Sequence, residues 1–246
     1  MIQLSGKTAL VTGGSRGIGA AIAKRLARDG ADVVITFAKS ADQAEAVVAE
    51  IKKLGRRGLA IGADSGDAGA VTAAVDRTVK ELGRLDILVN NAGIYTTTPF
   101  DETSLVDIDR VWDVNVRAAI VASQSAARHM KQGGRIISIG SCLGERVGGP
   151  GITLYSMSKA ALIGFTKGLA RDLGPRGITV NCVEPGPIDT DMNPATGEGA
   201  AAQRSMLALG HYGTVEDIAA TVAHLAGEGG RFITGASILV DGGYAA

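Results

Sequence analysis

Short apolar segments rich in β-branched residues alternate with longer segments of helical period along the whole chain. Each apolar segment is continuous rather than alternating, which is typical of a strand buried on both faces of a parallel sheet. Because helical segments separate the strands, the sequence predicts an α/β fold, doubly wound, with helices on both faces of the sheet. The seven predicted strands are Thr8–Val11, Asp32–Thr36, Leu59–Ala63, Ile87–Asn90, Arg135–Ile139, Thr179–Val183 and Ser237–Val240.

The helical segments complete the prediction. Thr214, followed three residues later by Asp217, resembles a capping box at the start of the last helix. No Pro- or Ser-rich linker and no internal repeat interrupts the pattern, so a single domain is expected over residues 1–246. The predicted helices are Ile18–Arg28, Ala41–Leu54, Ala68–Leu82, Ser104–Lys131, Ile152–Leu173 and Val215–Ala226.

Charge and hydropathy exclude several classes of partner. The formal net charge is zero and the pI is near 6.8, and no basic block is present, so nothing supports a nucleic-acid partner. The N-terminus lacks a basic segment before an apolar one, and no apolar run approaches the ~20 residues needed to span a bilayer. We therefore expect a cytoplasmic protein with no membrane partner.

The cysteines and histidines give no sign of a disulfide framework or a metal. Cys142 and Cys182 both end apolar runs and are interpreted as buried thiols, with a bridge or a reactive site as the alternative. His129, His211 and His224 share no metal-ligand spacing with each other or with the cysteines. No metal site is expected.

A glycine-rich turn, TGGSRGIG at residues 12–19, joins the first strand to the first helix. At such a strand–turn–helix junction, backbone N–H groups and the helix dipole point at a bound anion. Gly13, Gly17 and Gly19 let the backbone approach that anion closely. The spacing G-x-x-x-G-x-G differs from the common dinucleotide fingerprint. The turn is interpreted as a phosphate-binding loop, with an ordinary tight βα turn as the alternative.

Tyr155 and Lys159 lie four residues apart in a helical segment, so they share one face of the helix. A nearby ammonium favours the phenolate and lowers the pKa of a tyrosine, which suits general acid–base work. The alternative is a tyrosine that anchors the core beside a solvated lysine. The glycine-rich turn upstream favours the catalytic interpretation.

These features and several further motifs occur together in the order and spacing of the short-chain dehydrogenase/reductase family, which the chain resembles over its whole length. The resemblance implies a compact, single-domain, Rossmann-type sheet, with a glycine-rich cofactor half at 1–140 and a catalytic and substrate-loop half at 141–246. The motifs are TGGSRGIG at 12–19, NNAG at 90–93, Ser141, Tyr155 with Lys159, PGPIDT at 185–190 and ITGASILVDGG at 233–243.

The resemblance assigns four catalytic roles. Tyr155 is the proton donor, Lys159 lowers its pKa and holds the ribose, and Ser141 polarises the substrate carbonyl. Asn115, in DVNVRAA, anchors a water of a proton relay, the alternative being an amide that staples two helices. Ser141 precedes Tyr155 by fourteen residues rather than the family's usual thirteen, which places one extra residue in the loop 143–154.

The expected cofactor is NADP(H). No acid ends the second strand, where Lys39 and Ser40 stand, and Arg16 adds a second positive charge that suits a 2′-phosphate. The alternative is that Lys39 is a solvated loop charge. The resemblance further assigns Asp64 to the adenine amino group. The whole expected cofactor set is Gly13, Ser15, Arg16, Gly17, Ile18, Gly19, Lys39, Ser40, Asp64, Asn90, Ala92, Gly93, Tyr155, Lys159, Pro185, Gly186, Ile188 and Thr190.

The resemblance implies reduction of a small-molecule ketone to a secondary alcohol by NADPH. The 3-oxoacyl-carrier-protein reductases form a similar branch that docks its carrier through basic residues; Arg176 matches one of these, but Gln132 replaces the other. The alternative is a nucleotide-sensing regulatory protein on the same scaffold. PGPIDTDMNPA at 185–195 resembles a subgroup implicated in cyclic-dinucleotide binding and biofilm dispersal.

Two further segments carry expectations about substrate and assembly. The family places a substrate lid at 191–213, where His211, Met192 or Tyr212 would touch substrate. The segments Val111–Ala127 and Ser158–Leu173 are apolar or small on nearly every face, which favours contact with another subunit over a deep core position. With the terminal segment Phe232–Ala246 as a second contact, a homotetramer is expected.

Overall fold

A computed structural model describes residues 4–246 and contains one sheet of seven strands, all parallel. The strands are β1 Thr8–Val11, β2 Asp32–Phe37, β3 Gly58–Gly62, β4 Ile87–Asn90, β5 Arg135–Ile139, β6 Thr179–Pro185 and β7 Ser237–Val240. Their spatial order is β3-β2-β1-β4-β5-β6-β7, so the winding reverses between β1 and β4. This confirms the predicted seven-stranded, doubly wound sheet.

Helices cover both faces of this sheet. Ala9 and Val11 of β1 pack into the apolar layer beneath α1, α2 and α8, whereas Leu10 packs beneath α3, α5 and α6 on the other face. Burial on both faces explains why the strands read as continuous apolar runs. The helices are α1 Gly17–Arg28, α2 Ala41–Lys53, α3 Ala68–Leu82, α4 Leu105–Trp112, α5 Ala118–His129, α6 Thr153–Leu173, α7 Ala200–Ser205 and α8 Val215–Ala226.

The element bounds differ from the predicted ones at a few ends. β2 continues to Phe37 and β6 to Pro185, because pairing with β3 and β7 extends past the apolar runs. β3 begins one residue earlier than predicted, at Gly58, which pairs with Val33. The short helix α7 was not predicted; it lies inside the 191–213 segment.

The single helix predicted over Ser104–Lys131 is two helices joined by a π-helical turn, Asp113–Arg117. A π turn accommodates one extra residue in a helix and is frequent at functional sites. It carries Asn115, whose side chain is bonded inside the protein. The turn thus places a polar side chain in the interior at a point where a regular helix would disfavour it.

Both cysteines are buried thiols, as interpreted from the sequence. Cys142 and Cys182 are free and buried, and burial raises the pKa of each thiol to about 12.

The predicted capping box is also present, with Asp217 accepting from both the backbone N–H and the hydroxyl of Thr214. Among the helices of residues 4–246, none has the length and apolarity to cross a membrane.

Candidate active site

A cavity of about 730 Å³ opens at the carboxyl ends of the strands, where the winding of the sheet reverses. This edge is where ligands gather in open α/β sheets. Both halves of the chain line the cavity, from Gly13 to Tyr244. Of the predicted catalytic and cofactor residues, Asn90 and Asn115 lie outside its lining.

The glycine-rich turn has the geometry of an anion cradle. Gly13 and Gly17 adopt left-handed φ angles of 64° and 54°, which disfavour other residues. A Cβ at Gly19 would overlap the Gly13 carbonyl oxygen and approach Asn91 Nδ2 to 2.5 Å. Arg16, the residue before α1, makes no side-chain cap, and the first turn of α1 has no acid. The N–H groups of this helix end are therefore available to a phosphate, which fits a dinucleotide cofactor.

Asn91, which was not among the predicted residues, secures the turn from the neighbouring strand. Its Nδ2 donates to the carbonyls of Thr12 (2.9 Å) and Gly13 (3.0 Å). In return, Thr12 Oγ1 accepts the backbone N–H groups of Asn91 and Ala92, each at 3.0 Å. These four bonds join the turn after β1 to the turn after β4 across the point of reversal.

Asn90 does not take the place predicted for it beside the cofactor. Its Nδ2 donates to Ser123 Oγ at 3.0 Å and to Ser138 Oγ at 3.5 Å, outside the cavity lining. Consecutive residues at a strand end point in opposite directions, so only one of two adjacent asparagines can face the cavity. Asn90 instead joins β4 to β5 and α5.

The end of β2 presents a basic and neutral wall to the cavity. Phe37, Ala38, Lys39 and Ser40 all line it, and no acid lies among them. Arg16 lines it too, with Nη1 3.9 Å from the exposed Asp191 carboxylate. At this end of the cavity the charge is suited to a phosphate monoester beside the ribose.

Asp64 lines the cavity as predicted, but it has a partner that the sequence did not reveal. Arg110 of α4 donates to both Asp64 carboxylate oxygens, at 3.1 and 3.3 Å, and also lines the cavity. The backbone N–H of Gly66 and then Arg110 hold the pKa of Asp64 below its ordinary value. Asp64 is therefore a fixed hydrogen-bond acceptor, suited to an exocyclic amino group.

The turn after β6 closes the opposite wall. Pro185, Gly186, Ile188 and Thr190 all line the cavity, as the sequence predicted. A Cβ at Gly186 would lie 2.5 Å from the Cα of Asp241, so the turn can pass there only without a side chain.

The predicted pair on α6 meets the residue after β5 inside the cavity. Tyr155, Lys159 and Ser141 all line it. Lys159 is 5% exposed; its Nζ donates to the Ile139 carbonyl at 2.9 Å and lies 5.7 Å from the centre of the Tyr155 ring. Ser141 Oγ accepts from the Leu143 N–H at 3.2 Å, so its own hydrogen is available to a ligand.

The structure corrects the expectation that Lys159 lowers the pKa of Tyr155. Burial raises the pKa of Tyr155 to about 12, partly offset by Ser141. Burial also lowers the pKa of Lys159 to about 8. Desolvation outweighs the pair's attraction here because the ammonium donates to Ile139 rather than to the phenol. Tyr155 is a protonated acid at neutral pH.

Asn115 is held by three side-chain hydrogen bonds within the protein, and its role as a water anchor stays a prediction. Its Oδ1 accepts from Ile94 N at 2.8 Å, while Nδ2 donates to Ile94 O and to Ser158 Oγ, each at 3.0 Å. Ser158 Oγ in turn donates to the Tyr155 carbonyl at 2.7 Å. The side chain thereby holds the start of α6 and the cavity wall at Ile94, which is close to the alternative of a stapling amide.

The 191–213 segment contributes part of what was predicted for it. Met192 lines the cavity, together with Asn193, Gln203 and Met206, which were not predicted. His211 and Tyr212 do not line it: Tyr212 packs with Cys142, Leu207 and Tyr244 in a separate apolar cluster. Sequence position alone could not separate the two groups, because the turn of the segment around α7 decides which side chains face inward.

Comparisons with known proteins agree with this geometry. Residues 13–245 match the model of a family described as enoyl-(acyl carrier protein) reductase. A short-chain dehydrogenase from Burkholderia cenocepacia, solved in complex with NADP, is 63% identical and superposes with a TM-score of 0.98 over 99% of this chain and 100% of its own. An Escherichia coli cyclic-di-GMP-binding biofilm dispersal mediator protein is 47% identical over 100% of both chains. A 3-oxoacyl-[acyl-carrier-protein] reductase of Staphylococcus aureus is 43% identical over 96% of this chain and 97% of its own.

The chain belongs to the short-chain dehydrogenase/reductase family. It is an NADP-dependent oxidoreductase with a Rossmann-type fold. Two features of this chain fit such a cofactor: the glycine-rich turn at residues 12–19, called the glycine cradle, and the basic wall formed by residues 37–40 with Arg16.

The buried ammonium of Lys159 predicts a pH-dependent stability. Burial lowers its pKa from 10.5 to about 8, so the unfolded chain holds more protons between these values and stability rises with pH across that window. We compare the free energy of unfolding of wild type with that of Lys159→Met. From pH 7 to pH 10.5 the difference is expected to shift by about 3 kcal/mol in favour of wild type, at about 1.4 kcal/mol per pKa unit. Urea unfolding at several pH values measures the difference.

Lys167→Met is the matched control, because Lys167 is an exposed lysine on the same helix. It shows what the loss of a lysine side chain does by itself. A difference between wild type and Lys159→Met that stays constant from pH 7 to pH 10 would contradict the prediction.

Proposed function

We propose that this protein reduces a small ketone to a secondary alcohol with NADPH. The observation that carries the proposal is the meeting of Tyr155, Ser141 and Lys159 in the same cavity as the glycine cradle. A carbonyl placed there would have a neutral acid, a hydroxyl donor and a buried cation around it. These are the groups needed to stabilise charge that develops on the carbonyl oxygen.

The glycine turn and the wall after β2 would hold the cofactor. The N–H groups before α1 suit its pyrophosphate, Asp64 suits the adenine amino group, and Lys39 with Arg16 suits the 2′-phosphate. The turn around Ile188 and Thr190 would lie against the nicotinamide. When bound, NADPH supplies the hydride.

Tyr155 and Ser141 would act on the substrate oxygen. The Ser141 hydroxyl donates a hydrogen bond to the carbonyl, which stabilises the negative charge that grows as the carbonyl is reduced. The Tyr155 hydroxyl then gives its proton to that oxygen. Because burial keeps the pKa of Tyr155 near 12, the phenol holds its proton until an alkoxide, a stronger base, is present.

Lys159 and Asn115 would support this proton transfer. The Lys159 ammonium is the cation near the Tyr155 ring and stabilises the phenolate left after proton transfer. Asn115 is a positioning residue: its bonds through Ser158 fix the backbone of Tyr155, and its bonds to Ile94 fix the facing wall.

Tyr155→Phe tests the proton donor. We expect kcat to fall by about 10²- to 10⁴-fold, the usual contribution of a positioned acid, because the variant removes only the hydroxyl. NADPH binding, followed by its fluorescence, is expected to stay close to the wild-type value. A near-normal kcat with an intact fold would refute the assignment.

The basic wall after β2 predicts selection of NADPH over NADH. Lys39→Asp removes an attraction and adds a repulsion, so we expect the preference, as a ratio of kcat/KM values, to fall at least about tenfold and reverse. Lys80→Asp is the matched control, since Lys80 is an exposed lysine of α3 outside the cavity lining. A wild-type protein that already prefers NADH would contradict the proposal.

A small free carbonyl compound is a better candidate substrate than a carrier-bound one. Arg176 matches a carrier-docking position, but its Nη2 donates to the carbonyls of Ala127 (2.5 Å) and Met130 (3.0 Å) at the end of α5. The guanidinium is therefore committed to capping a helix. Gln132, the other matching position, carries no charge.

A second candidate function follows from the E. coli relative, which is named for cyclic-di-GMP binding and biofilm dispersal. We infer that a regulatory protein of this type would hold the phosphates of the dinucleotide at the same basic groups, Arg16, Lys39 and Arg110. An NADPH-oxidation screen with ketones, acyl thioesters and sugars separates the two candidates. Turnover supports the reductase, whereas saturable binding of cyclic-di-GMP without any turnover supports the regulator.

We also propose that four copies of the chain assemble. Leu105, Val106, Trp112 and Ile120 expose between 39% and 78% of their surface along α4 and α5. On α6, a Cβ at Gly164 or Gly168 would have no neighbour within 4 Å, which leaves room for a second helix.

A second exposed surface lies at the end of the chain. Phe232 is 97% exposed and Leu239 of the edge strand β7 is 44% exposed. Two surfaces of this kind, each meeting its own copy, generate a tetramer with D₂ symmetry.

Light scattering at micromolar concentration tests this assembly. We expect about 100 kDa, four times the 25.0 kDa chain, and about half of that for Phe232→Glu, which places a charge in the second surface. A wild-type mass equal to one chain would refute both proposed contact surfaces. A mass equal to two chains would support one of them and refute the other.

A further inference from the structure

The C-terminal tail folds back to the cavity and is held there by several bonds. Asp241 accepts the N–H groups of Gly243 and Ala245, each at 2.9 Å, which shapes the turn before and after Tyr244. Arg146, from the loop 143–154, donates to the Tyr244 carbonyl at 2.6 Å and lies 5.8 Å from the centre of its ring. The ring is therefore fixed by its backbone and by a stacked cation.

The hydroxyl of this tyrosine is a free polar group at the cavity wall. Tyr244 is 5% exposed and lines the cavity, yet its Oη makes no hydrogen bond with any residue in the described range 4–246. A Cβ at Gly148, which lines the same wall, would overlap this hydroxyl. The hydroxyl is open to the cavity, so a ligand oxygen can pair with it directly in place of water.

Tyr244 stands close to the reacting end of the cavity. The Tyr95 ring packs edge-on against the Tyr155 ring, with 4.9 Å between centroids. Tyr244 packs in one apolar cluster with Cys142, the residue after Ser141, and burial raises the pKa of both Tyr155 and Tyr244. Tyr244 therefore lies beside the segment that carries Ser141, and its phenol keeps its proton at neutral pH.

The surrounding wall is apolar and carries no charge. The cavity-lining residues of the loop 143–154 are Leu143, Gly148, Gly149, Pro150 and Ile152, and the tail adds only Tyr244. A carboxylate or phosphate on the substrate would find no cationic side chain on this wall. A neutral oxygen would find one side-chain donor on this wall, the Tyr244 hydroxyl.

We infer that Tyr244 is a specificity residue, whose hydroxyl donates to a second oxygen on a neutral ketone held by Tyr155 and Ser141. The substrate class is a ketone with another carbonyl, hydroxyl or ester oxygen near the reacting carbon. This inference rests on the proposed ketone reduction and adds the feature by which the site would distinguish one ketone from another.

Tyr244→Phe tests the inference with matched ketone pairs that differ only in the second oxygen. We expect wild type to show a lower KM for the member with two oxygens. In the variant, KM for that member rises by about two- to tenfold, the usual effect of one hydrogen bond, while KM for its partner and the Kd of NADPH stay unchanged. The ring and its backbone contacts remain, so the fold is preserved.

Tyr212→Phe is the control, because Tyr212 packs in the same apolar cluster, has a buried hydroxyl without a partner, and does not line the cavity. It is expected to leave both KM values unchanged.

Gly148→Ala, which displaces the Tyr244 hydroxyl, is expected to reproduce the effect of Tyr244→Phe. A wild type that reduces ketones without preferring the second oxygen overturns this inference alone, as does an unchanged KM ratio in Tyr244→Phe. A wild type that reduces no ketone overturns the proposed function as well.

Discussion

The four hydrogen bonds between Thr12, Asn91 and their neighbours are the contact on which the rest of this site depends. They join the ends of β1 and β4, where the winding of the sheet reverses and no helix fills the gap. Bonds from the Gly13 and Gly14 N–H groups to Thr36 hold the other side of the turn to β2. Since the Gly13 and Gly14 N–H groups donate to Thr36, the N–H groups left for a ligand are those at the start of α1.

Burial, more than pairing, determines the chemistry of the catalytic side. Tyr155 and Lys159 share one face of α6, as their spacing predicts, but both are drawn toward their neutral forms by loss of water. Within residues 4–246, the hydrogen-bond acceptor of the ammonium is the Ile139 carbonyl. A site that keeps a cation partly uncompensated is poised to favour an anion that appears during the reaction, at a cost to the stability of the fold.

The sequence was sufficient wherever a residue's role follows from local spacing. The strands could be predicted because burial on both faces leaves a continuous apolar run, and Tyr155 with Lys159 because a helix fixes which residues share a face. It was insufficient where two adjacent residues point in opposite directions, as with Asn90 and Asn91. It was also insufficient where a partner comes from a distant element, as Arg110 comes to Asp64. The pKa values differed from expectation because desolvation depends on every element packed around a group.

The charges around the cavity are divided between its two ends, and this division connects the cofactor to the substrate. Arg16, Lys39, Asp64 and Arg110 all belong to the elements around the first three strands and α4, where a dinucleotide needs charged partners. The loop 143–154 and the tail contribute apolar surface and one phenol. In the proposed function, a single cavity would hold a highly charged cofactor at one end and, beside Lys159, present a wall without charged side chains to the substrate. There, the Tyr244 hydroxyl would be the donor by which substrates with and without a second oxygen differ.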